Sequence, residues 1–351
     1  MRVRLKDVAA RAKVAVNTAS TILNRRPNSW ASKETVERVF QAAEELGYRP
    51  NRAALGLRIG RFHAIGLLIA DLNNPFYTTF AHQLALEAER DGYDVVIESW
   101  RSDLEREKKC MEEILNRQLD GVVAFLSDPV VHREFLENRF RLGNPFVVFG
   151  TALGTVPPVD CVISDFEVGL RQAIGRLIGL GHRRLAFLSA LAEGQSDGHR
   201  CRLFSEIMRE HRDLGGRAEI LRCGPEVESA YRAARERLGV FKAGGECPTA
   251  ILTMNDLAAL ATIRAAVDAG LRVPGDLSVV GVDNIPLGTF LPLNLSSIAQ
   301  PIAEIAATAW AMVRARIERG GLEGPPKQVV YPTEFLERES TGPAPGLDSG
   351  A

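Results

Sequence analysis

Residues 5–24, LKDVAARAKVAVNTASTILN, decide how the first part of this chain folds. Leu5, Val8, Ala9 and Ala12 fall at i, i+3, i+4 and i+7, which puts one apolar stripe on a short helix. Past Lys13-Val14-Ala15, the residues Ala19, Ile22 and Leu23 repeat that spacing and leave Val16, Asn17, Thr18 and Thr21 to face elsewhere. A third helix is expected after Ser32, a good N-cap residue, with Val36, Val39, Phe40, Ala43 and Leu46 buried and Gly47 at its stop. Three short helices with a tight second connection fit a helix-turn-helix module. The same spacing also fits a small helical cap that binds nothing.

Charge bears on these readings without deciding between them. The chain has 351 residues, 43 Lys and Arg against 44 Asp and Glu, and a formal net charge of −1. Residues 1–61 hold thirteen of the bases and only five acids (Asp7, Glu34, Glu37, Glu44, Glu45), a local charge of +8 against −9 for the remainder. A small basic segment on a larger acidic body fits a polyanion-binding head and a second, soluble module, and on charge alone it fits a basic tail with no specific partner equally well. With 46% hydrophobic and 25% charged residues, the chain has ordinary globular composition. That excludes a largely disordered chain, a collagen-like fibre and a multispan membrane protein. At about 100–200 residues per domain, two or three domains are expected.

The start, MRVRLKDVAARAK, has no following apolar stretch of signal-peptide length. No uncharged apolar run approaches the ~18–20 residues of a membrane helix. Cys110, Cys161, Cys201, Cys223 and Cys247 are scattered, with no C-x-x-C pair, so neither a disulfide framework nor a zinc site is expected. The expectation is a cytoplasmic protein without metal or cofactor.

From residue 63, β-rich apolar runs (64–70, 94–99, 121–126, 145–150, 184–190, 249–254, 277–283) alternate with amphipathic segments expected to be helical near 76–91, 103–117, 166–180, 198–211, 227–238, 256–269 and 301–319. Strand–helix alternation at this spacing predicts parallel sheets covered on both faces, and the length fits two. The fold class expected is an N-terminal all-α head plus an α/β body of two doubly wound parallel-sheet subdomains. Ligands of such sheets bind beyond the strands' carboxyl ends. The residues there are polar: Asp71, Asn74, Phe76 and Tyr77, then Gly150 and Thr151, then Asn255-Asp256, then Asp283 and Asn284, and Gln300. Carboxylates and amides that bind neighbouring hydroxyls, with aromatic faces beside them, suit a sugar or another small polar ligand. Arg202 supplies a bidentate fork.

The segments LKDVAARAKVAVNTASTILN and SKETVERVFQAAEELGYRPN, continued by NRAALGLRIGRF and IGLLIADLNNPFY, closely resemble the lactose/galactose repressor (LacI/GalR) family. The likeness covers nearly all of residues 4–340. It implies a periplasmic-binding-protein-like body and a second helix that enters the major groove. In that helix Val16, Asn17 and Thr21 would face base edges: Asn17 offers a paired donor and acceptor to adenine, and Val16 and the Thr21 methyl pack on thymine methyls. Thr18, Ser20 and Asn24 suit phosphate contacts or helix-end hydrogen bonds. Pro50-Asn51 to Gly60 resembles the family's hinge helix, with Asn51, Ala54 and Leu57 as DNA contacts and Leu57 as the side chain that wedges between base pairs. For the body, the resemblance implies an effector site of Asp71, Phe76, Tyr77, Thr151, Asp165, Arg202, Asn255, Asp283 and Gln300.

Several positions depart from the family pattern. Arg4 and Ala15 stand where Thr and Ser cap the first two helices, each lost cap being worth ~1 kcal/mol. Thr21 replaces a common Arg, Gly150 a common Asp, and RLFSE the usual R-L-x-G-F. The loop RRPNSWAS is about two residues longer than usual, and Trp30 in it is expected to pack on the head. For Asp165, His182 and Asp256, helix capping and turn hydrogen bonds are an equal alternative.

Motifs of phosphate-binding loops, zinc proteases and serine hydrolases are missing. The expected function is therefore a non-enzymatic regulator, most readily a repressor. Its partners would be pseudo-palindromic double-stranded operator DNA, a small-molecule effector of sugar type and a second copy of the chain. A regulator controlled by a protein partner, with a vestigial pocket, is the first alternative; a periplasmic-type solute receptor is the second, opposed by the head. Domains are expected at 1–50 (head), 51–62 (hinge), 63–340 (body) and 341–351 (a disordered tail).

Overall fold

The computed structural model describes residues 3–24, 31–49, 56, 60–127, 132–150, 159–190, 198–242, 246–290, 292–320 and 324–346. The chain divides into two compact units, residues 1–63 and 64–351. The first holds helices α1 (Leu5–Arg11), α2 (Val16–Leu23) and α3 (Lys33–Glu45). Their core is the apolar set read from the spacing: Val8, Ala9, Ala12, Ala19, Ile22, Val39 and Ala43 are all buried. Phe40, expected inside, is 38% exposed. Ser32 caps α3 by accepting from the Thr35 N–H at 3.3 Å, and Gly47 takes the left-handed φ of +63° just past its end. Arg38 Nε donates to the Ala12 carbonyl at 3.0 Å and Arg11 pairs with Glu45 at 2.6 Å, so α3 clamps the end of α1.

The second unit contains two sheets of six strands. In the first lobe, β1 (Ala64–Ile69), β2 (Asp94–Ser99), β3 (Gly121–Phe125), β4 (Phe146–Gly150), β5 (Asp160–Asp165) and β11 (Gln328–Pro332) are ordered β2-β1-β3-β4-β5-β11, all parallel. Helices α4 (Pro75–Arg90) and α11 (Ile302–Glu318) cover one face; α5 (Leu104–Asn116) and α6 (Arg133–Arg141) cover the other. The second lobe has β6 (Arg184–Ala190), β7 (Arg217–Cys223), β8 (Ala250–Thr253), β9 (Ser278–Asp283), β10 (Ser296–Ala299) and β12 (Glu334–Leu336), ordered β7-β6-β8-β9-β10-β12. Only β12 runs antiparallel to its neighbour. Helices α7 (Phe166–Gly179) and α8 (His199–Glu210) pack on one face; α9 (Val227–Lys242) and α10 (Asp256–Asp268) pack on the other.

The chain passes between lobes after β5, after β10 and between β11 and β12. Thr333, at the last passage, gives its N–H (3.0 Å) and its hydroxyl (2.8 Å) to the carbonyl of Asp165 at the first. A buried Arg316–Asp160 pair, two bonds of 2.9 and 2.8 Å, ties α11 to the start of β5.

All seven helices expected in the body form, and so do the seven strands. Five further strands, β5, β7, β10, β11 and β12, and the helix α6 carry too mixed a pattern for periodicity to detect. At the carboxyl end the structure corrects the expectation of a tail disordered from 341. Ser340 pairs with Val279 through both backbone and side chain, the Gly342 N–H bonds Ser278 Oγ at 3.0 Å, and the Ala344 N–H reaches the Leu180 carbonyl at 2.9 Å. The reason is buried polar groups: the His182 ring, fully buried, needs the Gly342 carbonyl, 2.9 Å from Nε2. Residues 347–351 lie outside the described residues, as do Trp30 and most of its loop.

Candidate DNA-reading head and ligand cleft

In the head, Val16 (46% exposed) and Asn17 open α2 and both face solvent. Ala15 leaves the helix without a side-chain cap, and at α1 the Arg4 N–H is held instead by Asp7 Oδ2 at 2.8 Å. Thr21 donates its hydroxyl to the Asn17 carbonyl at 2.9 Å, which commits the oxygen to the helix and leaves the methyl as its outward chemistry. Asn24 Nδ2 donates to the Ser20 carbonyl at 2.6 Å, a helix-end bond, and Ser20 itself is buried. Thr18 is half-buried. Asn51, Ala54 and Leu57 lie outside the described residues.

In the body, the carboxyl ends of both sheets meet at a polar cleft. Asn74 caps α4, its Oδ1 accepting from the Phe76 N–H at 3.0 Å. Its amide acts across the cleft on Asp283, at the end of β9, and favours that carboxylate's charged form. Gln300 Nε2 donates to the same carboxylate at 2.7 Å. Burial, and then the nearby Asp256, push the Asp283 carboxyl well above the usual range despite these bonds. Among the described residues the buried Gln300 Oε1 atom has no partner. Tyr77, half-buried in the first lobe, feels the charges of Asp283 and Arg200 in the second, and burial raises its phenol. Arg200, in the first turn of α8, lies over the Phe166 ring at 5.0 Å and donates from Nη1 to the Met254 carbonyl at 2.7 Å.

Behind this surface stands Asp256, 1% exposed. Its Oδ2 accepts from the Ile285 N–H and its Oδ1 from Ser297 Oγ, both at 2.7 Å. Burial pushes its carboxyl up to about 6, against the pull of those bonds. Position 281 must be glycine, because a Cβ there would collide with Oδ1 of Asp256. Asp283 and Asn284 adopt φ of +101° and +55°, conformations that cost non-glycine residues about 1–3 kcal/mol each. Asn284 is held by Ser297 Oγ on its N–H (3.0 Å) and by Arg338 on its Oδ1 (2.7 Å).

The residues expected to bind an effector therefore divide. Tyr77, Asp283 and Gln300 come together across the cleft. Asp71 lies at the end of β1 with Oδ1 accepting from the Asn73 N–H at 2.9 Å. Asp165 and Asn255 use Oδ1 as helix caps, for Glu167 N–H (2.9 Å) and Ala258 N–H (2.8 Å). Phe76 is 5% exposed and packs edge-on against Tyr77 and Phe125. Arg202 is exposed on α8, and its charge reaches His199. Thr151 is outside the described residues. Sequence reasoning missed Arg200 and Phe166. The signal was present in HRCR, with two arginines two positions apart, but only the three-dimensional path of α8 separates them. Asn74 was noted after the first strand without its influence on Asp283 across the cleft.

Comparison with known proteins agrees with this division of the chain. Residues 4–51 match the family model for bacterial regulatory proteins of the lacI family, and residues 174–341 match the periplasmic binding protein-like domain. The HTH-type transcriptional repressor PurR of Aliivibrio fischeri is 31% identical over 317 residues, 90% of this chain and 91% of that protein. The lac repressor dimer bound to operator and the anti-inducer ONPF superposes with a TM-score of 0.78 at 24% identity, covering 97% of this chain and 100% of that one. A transcriptional regulator CelR–cellobiose complex superposes at 0.65 with 27% identity, covering 97% and 100%. No described helix is long and apolar enough to cross a membrane. The chain belongs to the LacI family of bacterial regulatory proteins: it is a helix-turn-helix DNA-binding repressor with an effector-binding body, and not an enzyme.

Proposed function

We propose that this chain is a cytoplasmic repressor that binds a pseudo-palindromic operator as a homodimer and responds to a sugar or sugar derivative held between the lobes of its body. The observation that carries the reading is the cross-cleft set of Asn74, Asp283 and Gln300, with the buried Gln300 Oε1 left to accept a ligand hydroxyl. The cellobiose held by the CelR regulator supports a sugar-sized ligand, and the operator held by the lac repressor dimer supports the DNA partner. Val16, Asn17 and Thr21 read bases; Thr18 and Asn24 set the helix against phosphates; Asn51, Ala54 and Leu57 belong to a hinge that engages the minor groove. Asp71, Tyr77, Asp283 and Gln300 hold the ligand, with Thr151, Asp165, Arg202 and Asn255 around them. A ligand that prefers one state of lobe closure shifts DNA affinity by that preference and no more.

Selection of bound DNA sequences by the full chain, with and without a panel of sugars, tests this directly. The expected result is one two-fold symmetric site whose occupancy changes with one sugar. Recovery of asymmetric or unrelated sequences overturns the operator reading, and a symmetric site that no small molecule alters favours control by a protein partner.

A further inference from the structure

At the amino ends of β3 and β4, the opposite end of the first-lobe sheet from the cleft, lies a cavity of about 100 Å3. It is lined from α6 and its exit by Arg139, Asn144 and Pro145, and from the end of α5 onward by Leu115, Arg117 and Leu119. The Arg139 guanidinium lies 5.1 Å over the Phe135 ring, which packs edge-on against Phe146. That stack fixes the plane of the fork. Among the described residues its buried Nε has no hydrogen-bond partner. Three and four residues away on either side stand Phe135, Leu136, Leu142 and Gly143, so its own helix offers it no carboxylate. Of the acids nearby, Glu137 pairs with Arg133 at 3.6 Å and Glu98 with Arg117 at 2.6 Å. A buried donor on a cation is costly to leave without an acceptor.

We propose that this cavity binds a small monocarboxylate, taken side-on by Nε and a terminal nitrogen of Arg139, with its short carbon chain against Leu115, Leu119 and Pro145. Water alone is a poor occupant. At about 30 Å3 each, roughly three waters fill the space, and each needs about two to four polar partners. The side chains of Ile114, Leu115, Leu119, Val122 and Pro145 offer none. One molecule with an oxyanion at one end and hydrocarbon at the other answers both parts of the wall. Charge sets the valence. Arg117 is already neutralised by Glu98, and Asp120 adds a carboxylate to the lining, so Arg139 balances one further negative charge rather than two. The Asp120 N–H bonds the Ala64 carbonyl at 2.8 Å, which puts the site beside the point where the chain enters β1 from residues 1–63. The cavity shares no lining residue with the cleft, so it stands or falls apart from the effector reading.

Saturation-transfer NMR on the full chain, with sodium propionate as the ligand at constant ionic strength, tests the proposal. Propionamide serves as the neutral isostere and inorganic phosphate as the competing multivalent anion. Propionate should bind at least about tenfold more tightly than either. R139Q should weaken propionate by about tenfold or more, and R139K, which keeps the charge without Nε, should lose the greater part of the binding. L115W narrows the cavity without changing its charge and should lose the binding too. R133Q, which alters an exposed arginine of the same helix, should bind as the wild type does. Propionamide or phosphate that displaces propionate at equal concentration overturns the monocarboxylate class. Propionate binding that R139Q and L115W leave intact overturns the site. Absence of transfer to propionate at every concentration leaves water as the occupant and overturns the proposal as well. Melting of each ligand-free variant shows whether lost binding reflects a lost fold, and R139K carries the comparison where R139Q does not fold.

Discussion

Asn74 of the first lobe acts on Asp283 of the second, favouring its charged form, while its own Oδ1 caps helix α4. One side chain thus both starts a helix and acts across the cleft. Replacement by Ala should cost about 1 kcal/mol of stability through the lost cap and weaken ligand binding as well. N74D keeps a capping oxygen but loses the amide donor, so it should melt near the wild type and bind ligand more weakly. Equal ligand affinity in N74D and the wild type, measured by calorimetry, removes the cross-cleft role.

Asp256 has its carboxyl raised from 3.8 to about 6 by burial. Below about pH 4 the group is protonated whether the chain is folded or not, and it adds no pH dependence. Between about 4 and 6 the unfolded chain releases the proton and the folded chain retains it, so this group lowers stability as pH rises. Above 6 the cost is complete, about 3 kcal/mol at most. In D256N the amide oxygen still accepts from Ile285 and the Ser297 hydroxyl turns to accept from the amide nitrogen. Melting curves from pH 4 to 7 should show D256N gaining on the wild type as pH rises; parallel curves contradict the assignment.

The carboxyl-terminal strap should be separable from the five residues that follow it. Removal of 347–351 should leave thermal stability unchanged. Removal of 341–351 strips His182 and Ser278 of the Gly342 backbone and should cost on the order of 2–4 kcal/mol, at about 1–3 for each buried polar group left unpaired. Burial lowers the His182 pKa, so the neutral ring with its proton on Nε2 is the form that serves the Gly342 carbonyl. Chemical denaturation of the two truncated chains distinguishes these outcomes.

In the head, Asn17→Ala should cost about 1–3 kcal/mol of operator binding and relax base preference at one position of each half-site. Competition binding against single-base variants of the selected site reads this out. An equal loss on every sequence assigns Asn17 to the phosphate backbone instead.

What the sequence determined by itself was everything written in periodic patterns and charge. The i, i+3, i+4 stripes located α1, α2 and α3, and the same arithmetic left Val16 and Asn17 outward. Continuous apolar runs located β1, β3, β4 and β9, because a strand covered on both faces must be apolar throughout. The edge strand β7, RAEILRC, alternates charged and apolar residues, and β5 begins on Asp160 and ends on Asp165, so neither stands out as such a run. The buried Asp160 is tolerated only because Arg316, far along the chain, arrives to pair with it.

The cleft residues show the other half. Asp71, Asp165, Asn255, Asp256 and Asp283 look alike in the sequence: each is a polar residue just after an apolar run. Asp165 and Asn255 cap the helices they precede, a local role that the sequence already allowed for Asp165; only tertiary structure gives Asp256 to the buried Ile285–Ser297 link and Asp283 to Gln300. Polar side chains take their role from whichever donors the fold brings within about 3 Å. For the same reason HRCR alone does not tell its two arginines apart; the fold seats Arg200 against Phe166 and the Met254 carbonyl and leaves Arg202 exposed.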